Sequence, residues 1–294
     1  MFLNRTIIVA VASSVLLNLA AAEGLRPITP GDILVADSNG AITRFDPRSG
    51  VLSVVASGWP LVQPFAIAVD SRGRILVTDT GSRAVIRVNP ATGTKEILAS
   101  IPGLPFGLAV SDSGDIFVAN AETILRIKAG TRTASVLAAG EPLKVPLGVA
   151  IAPDGNLFVA DASGCVVKVN VNNRAKTLIT RGTPLAQPVG ITLDASGHLL
   201  IADSAAACVV QVNPQTRTSR IISQREYLQT PVSIAVEKDG SILAGDPDAF
   251  DYAGGIIRVD PATGTQMSLM HGQGDYVNPR GFVIVRTGQV NRPK

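Results

Sequence analysis

PLGVAIAPDGNLFVADASGCVVKVN (residues 146–170) reads as a proline, an apolar run, an Asp-Gly turn, a second apolar run ending in Asp161, and a third run that alternates apolar with polar. Two other stretches follow the same plan: PFAIAVDSRGRILVTDTGSRAVIRVNP begins at Pro64 and PVGITLDASGHLLIADSAAACVVQVNP begins at Pro188. Aligned on the recurrent proline, units start at Pro64, Pro105, Pro146, Pro188, Pro231 and Pro279, spaced by 41, 41, 42, 43 and 48 residues. Self-similarity at a fixed period of this size marks a repeat architecture, and it outranks any local reading.

Within a unit the first run follows P-x-G-[IL]-A-V, with Ala or Ser replacing Gly in two copies. A turn follows: DSRG, SDSG, APDG, DASG or EKDG. A polar residue followed by Gly between apolar runs is hairpin chemistry, because Gly accepts positive φ without steric cost. The third runs, AVIRVNP, TILRIKA, CVVKVNV, CVVQVNP and GIIRVDP, alternate at period two. Such alternation predicts a strand with one solvated or less buried face. DPRSG, NPATG and DPATG then turn the chain into a fourth run such as TKEILAS. No amphipathic helical stretch interrupts the pattern.

Four strands per unit, repeated radially, predict an all-β fold, a β-propeller with four-stranded antiparallel blades. The first unit, GDILVADSNGAITRFDP, lacks the P-x-G strand, whereas the last start, PRGFVIV from Pro279, has that strand and little beyond it. Together the two fragments make one unit. The C-terminal strand is therefore expected to join the N-terminal blade and close the ring at six.

The 294 residues are 46% hydrophobic and 17% charged, which excludes a disordered chain. MFLNRTIIVAVASSVLLNLAAAEG has a basic residue, Arg5, an apolar stretch from Thr6 to Leu19, and Ala20-Ala21-Ala22 before Glu23. That is the build of a secretory signal, and it is short for a membrane span. The expected organisation is a signal peptide over 1–22, a short leader over 23–30, the propeller over 31–290 and a tail over 291–294. The expected location is secreted or periplasmic, without stable membrane insertion after cleavage. Net charge is +3, and Lys and Arg are dispersed with no dense basic run, so nucleic acid is not an expected partner.

The repeat resembles the NHL-type six-bladed propellers and, more distantly, the gluconolactonase and senescence-marker lactonases of the same architecture. The resemblance spans residues 31 to 290 and rests on the six P-x-G, D-x-x-G and V-A-D segments in phase. It implies fold more than activity, because this scaffold hosts enzymes and adaptors alike. In those lactonases Glu, Asn and Asp near the x of P-x-G hold a catalytic divalent metal, as hard cations require. The x residues here are Phe65, Phe106, Leu147, Val189, Val232 and Arg280. Five are apolar and one is cationic, so no metal site, cofactor or catalytic residue is expected from the resemblance.

Asp37, Asp79, Asn120, Asp161, Asp203 and Asp246 end the second strands. A ring of carboxylates suggests calcium, but a residue present in nearly every unit is expected to serve the unit, accepting backbone N–H groups at the strand end. The chain has two histidines, His198 and His271, too few for the multi-His zinc site of amidating-lyase propellers. His198, just after a turn, is expected to be exposed. Cys165 and Cys208 open the third strands of consecutive units, where sheets packed about 10 Å apart leave Cα atoms beyond the roughly 7 Å that a disulfide spans. Free thiols are therefore expected; the loop before Cys208 is longer by one residue, which keeps a bridge as the alternative.

The copies differ most in the last full unit. DPDAFDYAGG (246–255), MHGQGDYVN (270–278) and SQREYLQT (223–230) are irregular connections that open on the face where the P-x-G strands begin. Arg280, Tyr227, Phe250, Asp251, Tyr252, His271, Asp275 and Tyr276 form the candidate binding patch, since Tyr and Arg are favoured at binding surfaces. The expected function is that of an exported binding or interaction module for a protein or an anionic small molecule. The alternatives are a lactonase- or lyase-like hydrolase working at the channel mouth and a purely structural propeller.

Overall fold

The computed structural model describes residues 27–271, the last for its backbone only, and 278–289. The expected signal peptide, the first part of the leader, the tail, Asp275 and Tyr276 lie outside the described residues.

Six four-stranded antiparallel sheets follow one another along the chain as the blades of a propeller. Blade 1 is assembled from both ends: the order across it is Pro279–Ile284, Ile33–Asp37, Ala41–Asp46 and Val51–Ser57. Its inner strand runs antiparallel to the next, with Val35 opposite Phe282 and Ile33 opposite Ile284. The inner strands of blades 2 to 6 are Pro64–Val69, Pro105–Val110, Pro146–Ile151, Pro188–Leu193 and Ser233–Val236. Hairpin turns behave as their residues dictate; Gly155, at φ 78°, donates its N–H to Ala152 O at 2.9 Å. Among the described residues no helix is long and apolar enough to cross a membrane.

The P-x-G-L-A-V alternation of small and large residues explains how the blades meet. Leu108 and Val110 of blade 3 face back onto Ala66 and Ala68 of blade 2. Val149 and Ile151 of blade 4 meet Ala109 of blade 3 in the same way. Large side chains thus point to the preceding blade and small ones to the following blade, where the wedge between sheets narrows towards the axis. The glycines sit where it is narrowest. A Cβ on Gly148 would lie 2.2 Å from Val189 O, and one on Gly281 would lie 2.5 Å from Phe65 O. Such distances are far inside van der Waals contact with backbone that cannot move aside.

The alternation of the third strands marks a less buried face and not a solvated one. In Cys165–Val169 and Gly255–Val259 every residue is buried except one half-buried position, Lys168 and Arg258 respectively. Each blade is sandwiched by two others, so both faces are covered. The polar side chain turns instead to an acid of its own blade: Lys168 Nζ reaches Asp154 at 2.8 Å, and Arg258 grips Glu237 with Nε at 2.6 Å and Nη2 at 2.8 Å. The strands open to solvent are the fourth, carrying Val51, Leu52, Val136, Leu178, Ile221 and Met267.

Both cysteines are free and buried. Cys165 packs between blades 3 and 4, and Cys208 between blades 4 and 5. Burial, with the Asp203 carboxylate nearby, pushes the Cys208 thiol up to about 12. In the unfolded chain it ionises near 8.5. The neutral thiol is thus favoured by the fold, and this contribution is lost as pH rises from about 8.5 towards 12. The native protein at pH 8 is expected to leave Cys208 unlabelled by an aromatic disulfide reagent, whereas the denatured chain releases two thiols. Prompt labelling of Cys208 in the folded state would contradict this placement.

Candidate binding face at the channel mouth

The x residues stand where the sequence places them. Phe65, Leu147, Val189, Val232 and Arg280 line a cavity of about 90 Å³ at one mouth of the axial channel, and Phe106 packs edge-on against Phe65 with ring centroids 5.2 Å apart. Among the described residues, half-buried Arg280 is the only charged side chain lining that cavity. Among the described residues no hydrogen bond or ion pair reaches its guanidinium. Asp246 does not pair with it, because its carboxylate accepts the N–H groups of Gln229 at 2.6 Å, Thr230 at 2.9 Å and Asp248 at 2.9 Å.

Asp246 is typical of its position. Asp161 accepts from Lys144, Val145 and Ser163 N–H groups, and Asp203 from Ala186, Gln187 and Ala206. Each carboxylate fixes both the loop entering its blade and the loop leaving its own strand. Burial holds the carboxyls of Asp37 and Asp246 above the usual range despite these donors. Blade 3 departs from the rule: Asn120 Nδ2 donates to Pro102 O at 2.9 Å, so its loop presents a carbonyl where the others present N–H groups. The six side chains tie loops rather than converging on the axis. Among the described residues no group of three or more His, Cys, Asp or Glu could hold a metal.

The irregular loops meet as follows. The ring of Phe250 packs into the interface of blades 5 and 6, and Tyr227 lies tilted against it, centroids 5.0 Å apart. Phe250, Asp251 and Tyr252 form a single left-handed turn, with φ of 54°, 57° and 67°. Bulky residues rarely adopt that conformation. The turn leaves Asp251 exposed and Tyr252 73% exposed. His271 pairs by its backbone with Gly255. His198 is not exposed as expected: it is half-buried, because its Nδ1 lies 3.3 Å from the carboxylate of Asp194 in its own hairpin.

Two features of this face were missed in the sequence. The first is a brace. Gln266, buried in the outer strand of blade 6, accepts from Tyr227 N–H at 3.0 Å and Leu228 N–H at 3.3 Å, and donates to Arg225 O at 2.8 Å and Ser223 Oγ at 2.9 Å. It holds a loop in which Arg225 and Glu226 have φ of 56° and 59°. A signal existed: Arg225-Glu226-Tyr227 occupies the place of Gly58-Trp59-Pro60, Gly140-Glu141-Pro142 and Gly182-Thr183-Pro184, so a strained backbone replaces one that glycine makes easy. The second is a collar of apolar side chains on the blade-to-blade loops: Trp59, Val62, Leu104 and Val145 stand exposed on the same face as Tyr227 and Tyr252.

No family profile matches this chain, and no curated protein does. Solved structures do. A chain of the nidogen/laminin complex superposes with a TM-score of 0.73 at 19% identity, covering 85% of this chain and 97% of that one. Virginiamycin B lyase from Staphylococcus aureus gives 0.66 at 15% identity, covering 88% and 86%. A streptogramin B lyase gives 0.63 at 19%, covering 88% and 89%. The chain is a six-bladed β-propeller. At these identities the likeness is one of fold alone.

Proposed function

We propose that this chain is an exported propeller of NHL type that works as a binding module, with the face around Arg280 as its contact surface. The observation that carries the reading is the pairing of two features on one face. Six of the twelve large hydrophobic residues that stand exposed among the described residues, Trp59, Val62, Leu104, Val145, Tyr227 and Tyr252, lie on its loops. At its centre a guanidinium with no described partner sits among apolar channel residues. Grouped exposed apolar side chains mark interaction sites, and low polarity around a cation strengthens its hold on an anion. The partner, protein or small molecule, then presents apolar surface to the collar and a carboxylate or sulfate to the fork of Arg280. Membership of a complex by one structural neighbour is in keeping with such use. Two other neighbours are lyases, and a lyase- or lactonase-like reaction at this mouth has less support, because among the described residues the side chains lining it offer one arginine, the Ser233 hydroxyl and otherwise hydrocarbon.

The Arg280→Ala variant tests the reading. A panel of short carboxylates, sulfates and peptides with free C-termini is screened by calorimetry against both proteins. The wild type is expected to bind an anionic member, and the variant to bind it about 10- to 100-fold more weakly, as befits a lost charge-assisted hydrogen bond. Its thermal midpoint should stay within a degree or two, since no described internal partner is lost. A large fall in midpoint, with no wild-type binding to any member, would make Arg280 structural and end the proposal for this residue.

A further inference from the structure

A large cavity lies on the opposite face. It measures about 820 Å³ and is formed by blades 5, 6 and 1 with the turn that follows the inner strand of blade 1. Ile33, Leu193, Val236 and Ile284 supply its apolar wall, and Arg286 and Lys238 stand at its edge with Asp194 and Glu237. The volume is that of a small-molecule site, for which a mostly apolar lining with a few fixed polar groups is the usual build.

The charges around it are not equivalent. Glu237 is fully engaged by the two-pronged contact with Arg258. Asp194 accepts from Ser196 N–H, His198 N–H and Gln211 Nε2 and lies beside His198 Nδ1. Both acids are therefore turned into their own blades. Arg286 and Lys238 have no side-chain hydrogen bond or ion pair among the described residues. The charge left for a ligand is positive.

Arg286 is also held in place. Its N–H donates to Gln289 Oε1 at 3.0 Å, and Gln289 Nε2 donates to Val69 O of blade 2 at 2.7 Å. Val285 N–H and Gly31 N–H complete a clasp onto Asp32 O and Val285 O, each at 2.9 Å. The turn that carries the guanidinium is thus tied to blades 1 and 2 before any ligand arrives, which lowers the cost of binding.

We propose that this far-face cavity is a second site, which takes a small amphipathic carboxylate: an apolar body against Ile33, Leu193, Val236 and Ile284, and the carboxylate on Arg286 with Lys238 beside it. It is independent of the contact surface at the other mouth. The probe is decanoate, below its micellar concentration, titrated into the full chain by calorimetry and followed by thermal shift. Decanoate is expected to bind and to raise the thermal midpoint. Acetate, which has the charge without the chain, and decanol, which has the chain without the charge, should do neither at the same concentration. Arg286→Ala should weaken decanoate binding at least tenfold, and Leu193→Trp, which fills the cavity and keeps the charge, should weaken it as well. Arg280→Ala should leave it unchanged. Circular dichroism checks that each variant is folded; if Arg286→Ala is not, the Leu193→Trp result decides. Absence of decanoate binding to the wild type, equal binding by decanol, or undiminished binding by both far-face variants would overturn the proposal. Loss of binding in Arg280→Ala alone would move the site to the other mouth.

Discussion

A chain lacking residues 279–294 is expected not to fold to a stable monomer. The deletion removes the inner strand of blade 1 and leaves Ile33–Asp37 without its partner from Ile33↔Ile284 to Asp37↔Pro279. It also removes Phe282 from the interface of blades 6 and 1, with Ile284 packed beside it, and Val285 from the interface of blades 1 and 2, with Val283 against it. At about 1.5–3 kcal/mol for each large apolar side chain buried, four of them amount to at most roughly 6–12 kcal/mol, comparable with the about 5–15 kcal/mol of a whole domain. The strand left behind presents a bare edge of five buried residues, Ile-Leu-Val-Ala-Asp, which invites pairing between molecules. Size-exclusion chromatography and thermal unfolding of the truncated chain provide the measurement. A soluble monomer with an unchanged midpoint would show that the terminal strand does not close the ring.

Gly148→Ala is expected to cost far more than its single methyl suggests. The added Cβ would lie 2.2 Å from Val189 O, 3.1 Å from Ile191 Cγ2 and 3.3 Å from Ala160 Cβ. The first of these is backbone in the next inner strand, so relief requires blades 4 and 5 to separate along the axis. Overpacking of this kind costs about 1–3 kcal/mol and sometimes more. For a chain of this length that is a fall of roughly 2–6 °C in thermal midpoint. Gly288→Ala is the control, because nothing lies within 4 Å of its Cβ position and its φ is not in the left-handed region. Equal midpoints for the two variants would refute the close-approach account. Ala66 and Ser233 occupy the corresponding places in blades 2 and 6, so not every interface needs glycine.

The architecture was legible in the sequence because the same physical demand recurs every 41 to 48 residues. Large residues facing one neighbour and small residues facing the other write a wedge into every inner strand, and the missing and surplus strands at the two ends sum to one blade. The strand-end carboxylates were legible in part: the donor in the following loop is local chemistry, whereas the two donors 16 and 17 residues earlier are set by the fold of the blade. What escaped was set by three-dimensional neighbours. Alternation in the third strand left a solvated and a less buried face open, because nothing local says that a blade is covered on both sides. His198 read as exposed because it follows a turn, and nothing in the spacing says that the Asp194 carboxylate lies against its ring. The brace by Gln266 joins residues about forty positions apart, 266 with 227 and 228, and no spacing announces it. Trp59 and Val62 share one connection and Leu104 and Val145 lie in two others, and only closure of the ring brings them around one opening.

The blade built from both ends also sets an order of events during synthesis. Phe282 meets Val35 only after every residue between them has been made, and at about 5–20 residues per second that interval lasts on the order of ten seconds to a minute. Five blades can pair their own strands as they emerge, since each is contiguous in the chain. The first to be made is the last to be completed, and until then the ring has a gap on either side of a three-stranded fragment. A chaperone that shields a strand edge would be needed there more than anywhere else on the molecule.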